Sequence, residues 1–327
     1  MITLRNAVMS VQITEDFGAQ IVGVYNNAGH NALASYDWLS PIGLRAGTSY
    51  GSDNLDWHSE YRGHWQETFP NAGVDCIIDG MPLPFHGEAS TARWQVDNVT
   101  EDSCALSVGS RLPLTLRRTM TLDPSRAALR IEGLVTNVGS LPVKFVWGQH
   151  PAFPATEGAR IDYPATARIR PDSERTGGLA GEPANWPVAA LLSGATEDLS
   201  IVPGDAIHRL MYVDGLEEGW AALRQPAGGV SVALAWDVAA HPFSWLWVMR
   251  DEPAFPFYGR ARVVAIEAQT SWPYDGLTGA IERGMAHELQ PGQSMTSWYT
   301  MVLIDEATAP VTHVNRDGDV TYGAHNE

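Results

Sequence analysis

The stretch LTLRRTMTLDPSRAALRIEGLVTN (114–137) decides the fold. Over 114–122, Leu and Met alternate with Thr and Arg. That is the period of a strand with one buried face. Over 128–137 the run ALRIEGLVTN is rich in Leu, Ile and Val at strand length. The link between them, Asp-Pro-Ser-Arg-Ala, is too short for a crossover helix and carries turn residues, so the two runs predict an antiparallel hairpin. Working outward, the same pattern recurs in AVMSVQI (7–13), AQIVGVY (19–25), ALSVGSR (105–111), GVSVALAW (229–236) and SWYTMVLI (297–304). Gly, Pro, Asn and Asp punctuate the gaps. Helical spacing is confined to 276–284 and 186–193. No strand–helix alternation appears, which excludes a parallel doubly wound sheet. The expected fold is all-β: a large antiparallel sandwich with few short helices.

No internal repeat or linker divides the chain, so residues 1–305 read as a single β-sandwich domain. Residues 306–327 read as a polar, poorly ordered C-terminal tail. The segment 36–73 is rich in Gly, Asp and aromatics without strand period, which predicts a long functional loop or lid. A second irregular excursion is expected over 171–188.

A net charge of −17 opposes a nucleic-acid or anionic-membrane surface, because those need clustered Lys and Arg. No apolar run reaches the length that spans a bilayer. The start, MITLRNAVMSVQITEDFG, has neither the basic nor the apolar part of a signal peptide, which predicts a cytoplasmic protein. Twelve tryptophans is a high count; core and loop packing accounts for most of them, and indole faces also suit the C–H face of a sugar.

Three polar side chains stand out against the apolar runs: His86 in PFHGEAS (84–90), His150 in WGQHPAF (147–153) and Glu267 in AIEAQTSWP (265–273). Each follows or interrupts a strand-like run. A carboxylate just past a buried run such as Val-Val-Ala-Ile needs a reason to be there. Two imidazoles and a carboxylate suffice for paired acid and base chemistry near neutral pH. Two His and one carboxylate also bind metals, but the short ligand spacing of such sites is missing, so no metal is expected. His208, His241 and His287 read as structural or surface histidines.

WQETFPNAG (65–73), PLPFHGEAS (82–90), WGQHPAF (147–153) and YGRARVVAIEAQTS (258–271), in that order and spacing, resemble the aldose 1-epimerase (galactose mutarotase-like) superfamily. The resemblance covers about residues 10 to 304. It implies a large antiparallel β-supersandwich with an open sugar cleft and cofactor-free interconversion of α and β anomers. It also implies a small-molecule sugar as partner. Carried onto this sequence, it gives Glu267 as general base, His150 as general acid and His86 as a helper at the ring oxygen. Asn71, Gln149, Trp147, Trp65 and Arg45 are the expected substrate contacts. Ala268 after Glu267, and Pro-Ala-Phe after His150, depart from the family pattern and place the chain in a divergent branch. An anionic sugar would need Arg in the cleft, with Arg62, Arg250 and Arg260 as candidates. A non-catalytic sugar-binding protein on the same fold is the rival from another class. Mutual attraction between Glu267 and His150 predicts that both stay charged across roughly pH 5–7.

Overall fold

The computed structural model describes residues 1–36, 51–304 and 309–324. Two large sheets dominate it. The ten-stranded sheet runs in the order Ile2–Arg5, Met9–Ile13, Ile21–Asn26, Trp65–Thr68, Gly148–Pro154, Arg262–Gln269, Phe243–Arg250, Ile207–Asp214, Arg168–Thr176, Ala184–Asn185. At the centre of the eight-stranded sheet, Ser294–Ile304 pairs with Ala128–Asn137, which pairs with Leu114–Leu122. The pairs within both sheets are antiparallel. The predicted hairpin forms with Leu122 opposite Leu129 and Asn137 opposite Leu114. Burial along Leu114–Leu122 alternates residue by residue, as its sequence period requires.

The sheets pack face to face through large side chains. The Trp65 ring meets Tyr299 edge-on at 5.1 Å, and Tyr299 in turn stacks on Trp236 at 6.2 Å. Gly133 leaves the space that the Trp147 indole fills; a Cβ there would overlap the ring. One ion pair is sealed between the sheets: Arg118 Nη1 to Glu67 Oε2 at 3.0 Å, with both side chains fully buried. Trp147 Nε1 donates to Glu67 Oε1 at 2.7 Å, and Arg118 Nη2 donates to the Ala19 carbonyl. A buried pair needs its lone pairs and protons met, and these bonds meet all but Arg118 Nε, which has no hydrogen-bond partner among the described residues.

Three local expectations differ from the structure. Within 36–73, the described part holds a helix, α1 (Asp53–Glu60), and the strand Trp65–Thr68. Ser52 caps α1 by accepting from the Leu55 N–H, and Asp53 and Asp56 lie in its first turn, where the helix dipole favours acids. The run at 186–193 forms no helix; Val188–Ala190 pairs with Thr196–Asp198 as a small hairpin. The second short helix, α2 (Gly276–Glu282), lies where helical spacing predicts it.

The third difference is the C-terminal segment, expected to be poorly ordered. Val311–Val314 and Val320–Tyr322 form a hairpin whose Val311 and Val314 are buried against Trp220, Ala222, Ala233 and Ala235. That contact explains why Gly219–Arg224 and Ser231–Trp236 are buried at every position rather than at alternate ones. Arg126 and Arg130 pair with Asp319 and Asp317 to hold its turn. Among the described residues no helix is long and apolar enough to cross a membrane.

Candidate active site

The candidate site lies on the face of the ten-stranded sheet that points away from the second sheet. Strand period decides which residues reach it. On Gly148–Pro154, Gln149 accepts from the inward-facing Trp65 Nε1 at 2.8 Å, so the next residue, His150, faces outward. The register pairs Gly148 with Gln269 and Ala152 with Ala265, which sets His150 directly across from Glu267. Trp245 stands across from Glu267 on the other side. The cleft encloses about 260 Å³, near the lower end of small-ligand sites at ~300–1,000 Å³.

His150 Nε2 lies 3.5 Å from Glu267 Oε1, and both side chains are buried. Glu267 Oε2 accepts from Gln269 Nε2 at 3.0 Å, and Gln269 Oε1 accepts from the Thr68 hydroxyl. Gly148 makes that arrangement possible, since a Cβ there would overlap the Gln269 amide. Burial pushes the Glu267 carboxyl up to about 8, against the opposing effect of the Gln269 hydrogen bond. Burial also pushes the His150 imidazole down to about 4. This corrects the expectation that both are charged across pH 5–7: desolvation outweighs their attraction. Between those two values the pair holds one proton, and burial places it on the carboxyl.

His86 enters from a loop rather than a strand. Its backbone is left-handed, with φ of 59°, an uncommon state for a residue with a Cβ. Its Nδ1 accepts the Gly73 N–H at 3.0 Å, so the neutral ring carries its proton on Nε2. Burial holds this imidazole well below its ordinary pKa, as do the neighbouring His150 and His58. The ring centroid is 5.3 Å from that of His150 and 4.7 Å from Trp57. The three residues expected to act together are therefore within reach of one bound molecule.

Four of the expected substrate contacts do not line the cleft. Trp65 and Trp147 fill the space between the sheets, and Gln149 bonds to Trp65 there. Asn71 is buried in a structural knot. Its Nδ2 donates to the Val74 and Pro84 carbonyls at 2.8 and 2.9 Å, and its Oδ1 accepts from Leu277 N–H at 2.7 Å. It thereby ties the His86 loop to the start of α2. Arg45 lies outside the described residues. Arg62, Arg250 and Arg260 do not line the cleft; Arg250 donates to the Pro203 carbonyl. His241 and His287 bond to backbone carbonyls as structural histidines do.

The walls come from residues without a motif. α1 brings Trp57 and His58 over the cleft, Phe243–Arg250 supplies Trp247, and His208 lies in the wall instead of being structural or on the surface. Arg175 and Glu252 complete that side. The helix signal Ser-Asp-x-x-Asp ahead of Trp57-His58 is readable in the sequence. Nothing in the local sequence marks Arg175 or His208.

No family model and no curated protein matches the sequence. Solved structures do match. A protein provisionally assigned as an aldose 1-epimerase from Escherichia coli K12 is 20% identical over 93% of this chain and 98% of its own, with a TM-score of 0.65. Another with the same provisional assignment, from Klebsiella pneumoniae, is 18% identical over 91% of this chain and 78% of its own, at 0.69. A galactose mutarotase related enzyme from Lactobacillus acidophilus is 17% identical over 93% and 97%, at 0.64. The chain has the galactose mutarotase-like fold.

Proposed function

We infer that the protein is an aldose 1-epimerase, interconverting the α and β anomers of a hexose or hexose derivative without a cofactor. The observation that carries this is the His150–Glu267 contact in a cleft of one-sugar size that His86 also lines. Opening a pyranose requires that the anomeric hydroxyl lose a proton while the ring oxygen gains one. A pair that holds a single proton contains one acid and one base at every moment.

Glu267 acts at the anomeric oxygen and His150 at the ring oxygen. In the empty cleft the shared proton rests on Glu267, so it passes to His150 before the carboxylate takes the anomeric proton. His150 protonates the ring oxygen as the C1–O5 bond breaks and the C1 carbonyl forms. The His86 Nε2–H donates a hydrogen bond to the same oxygen. After rotation about C1–C2, the carbonyl carbon is attacked on its other face. His150 takes its proton back and Glu267 returns its own, so the site is regenerated. Fold likeness supports the class of chemistry only; the argument for catalysis rests on the side chains.

The test is anomer exchange on freshly dissolved α-sugars, followed by polarimetry or saturation-transfer NMR across glucose, galactose, arabinose and their phosphorylated or sulfonated forms. Exchange is expected with at least one. Glu267→Gln and His150→Asn each lower it by about 10²–10⁴-fold, with circular dichroism unchanged. Binding of a sugar with no exchange by the parent protein would establish the non-catalytic reading instead.

A further inference from the structure

Two walls of the cleft carry apolar side chains beyond the point where the proposed chemistry ends. The acid–base groups sit at the floor: Glu267, His150 and His86 are each no more than 5% exposed. Exposure climbs from there. On α1, Trp57 is buried, His58 is half-buried and Leu55 is 43% exposed. On the turn that follows Phe243–Arg250, Phe257 is buried, while Phe255 is 39% and Tyr258 60% exposed. Leu55 and Phe255 line the cleft. Tyr258 extends the rim outward, with its ring edge-on to Phe255 at 6.2 Å.

Such exposure is rare in this chain. Among the described residues, Phe255, Tyr258 and Tyr322 are the only exposed phenylalanine, tyrosine or tryptophan side chains, so two of the three stand in one turn at the cleft mouth. Single exposed apolar side chains are ordinary on a protein surface, whereas a cluster of them beside a pocket marks a contact site.

The turn that displays them is held in place. Glu252 Oε1 accepts from the Ala254 N–H at 3.0 Å, and the Glu252 carbonyl accepts from the Gly259 N–H at 2.7 Å. The Ala254 carbonyl accepts from the Phe257 and Tyr258 N–H groups, both at 3.0 Å. Tyr258 has a left-handed backbone, with φ of 45°, which costs free energy that these bonds offset. Glu252 Oε2 lies 2.8 Å from His208 Nδ1, which ties the turn to the cleft wall.

The cleft encloses about one ring, and the anomeric carbon of that ring must lie at the floor, beside Glu267 and His150. The far edge, with O4 and the O6 arm, then faces the rim. A substituent on either oxygen would rest against Leu55, Phe255 and Tyr258. The rim is not uniformly apolar: Asn54 lines the cleft beside Leu55, and Tyr258 carries a hydroxyl. Apolar surfaces with polar groups at their edges suit a second pyranose, with its C–H faces and hydroxyl edges, better than an acyl chain.

We propose that Leu55, Phe255 and Tyr258 form a second sugar subsite, so that the protein acts on the reducing-end residue of an oligosaccharide linked through O4 or O6. The proposal rests on the sugar cleft proposed above, and its test includes a binding measurement that needs no turnover. Anomer exchange is followed by saturation-transfer NMR for glucose and galactose, and for disaccharides with each at the reducing end: maltose, cellobiose, isomaltose, and 4- and 6-linked galactobiose. Binding of the same sugars is read by titration calorimetry.

The best disaccharide is expected to exceed its own reducing-end monosaccharide by about tenfold in affinity and in kcat/KM, as two aromatic contacts together supply. Phe255→Ala and Tyr258→Ala each remove about threefold to tenfold, the usual worth of one such contact, and leave the monosaccharide at the parent value. Phe255→Trp keeps the advantage. Equal handling of mono- and disaccharides by the parent overturns the proposal. So does a disaccharide advantage unchanged in both Ala variants, or an octanoyl ester on O6 of the monosaccharide that binds more tightly than the disaccharide. Failure of every sugar to bind overturns both the subsite and the cleft. Rim-dependent disaccharide binding without exchange counts against the epimerase reading alone; monosaccharide exchange with no disaccharide advantage counts against the subsite alone.

Discussion

Replacing Gln269 with Leu isolates what the amide behind the site does to its acid. The Gln269 amide donates to Glu267 Oε2 at 3.0 Å, the only hydrogen bond to that carboxyl among those the structure shows. It favours the ionised form and so holds the pKa below where burial alone would set it. A buried hydrogen bond to a charged group is worth about 1.5–3 kcal/mol, and one pKa unit is about 1.4 kcal/mol, so its loss moves the carboxyl up by about one to two units. The alkaline limb of kcat/KM for anomer exchange then shifts upward from about 8 by that amount, while the acid limb, set by His150, stays in place. The substitution also strands the Thr68 hydroxyl that donates to Gln269, so Thr68→Val serves as the control and leaves the limb where it was. The assay is saturation-transfer NMR over pH 3–10 at substrate below KM. An alkaline limb that stays fixed or moves down in Gln269→Leu refutes the assignment of Glu267 as the group that limits activity at high pH.

Other outcomes follow from the packing. Gly148→Ala places a Cβ where the Gln269 amide lies, so exchange falls while the unfolding free energy from urea titration drops by no more than an overpacking cost of about 1–3 kcal/mol; exchange at the parent rate would mean that Gln269 has no positioning role. Asn71→Ala removes two donated bonds and two accepted ones, from the Leu277 N–H and the Cys76 thiol, at a cost of about 2–4 kcal/mol measured by denaturant unfolding. A variant with full stability but raised KM would instead restore Asn71 to the set of substrate contacts.

The strands are legible because their burial follows their period: Leu114–Leu122 alternates in sequence and in space. The same rule carries further information. If His150 faces the cleft, Gln149 must face the other way, and the structure puts it against Trp65 between the sheets. Trp65 stands opposite Pro151, the strand neighbour of His150, so period two turns it to the other face. The charge state of Glu267 and His150 is not legible in the same way. Attraction depends on contact, which the sequence suggests, whereas desolvation depends on depth, which it does not. His208, Arg175 and Glu252 come together across strands far apart in the chain, and no local pattern records that. The C-terminal hairpin is hidden because its two buried valines sit among polar residues and become apolar anchors only against the alanine-rich face that receives them.

The pH dependence of anomer exchange by the unmodified protein tests the shared proton most directly. The account predicts a bell with limbs near about 4, where His150 gains a second proton and the pair loses its base, and about 8, where Glu267 ionises and the pair loses its acid. A rate that keeps rising through pH 9, or one that does not change from pH 3 to pH 10, would contradict it.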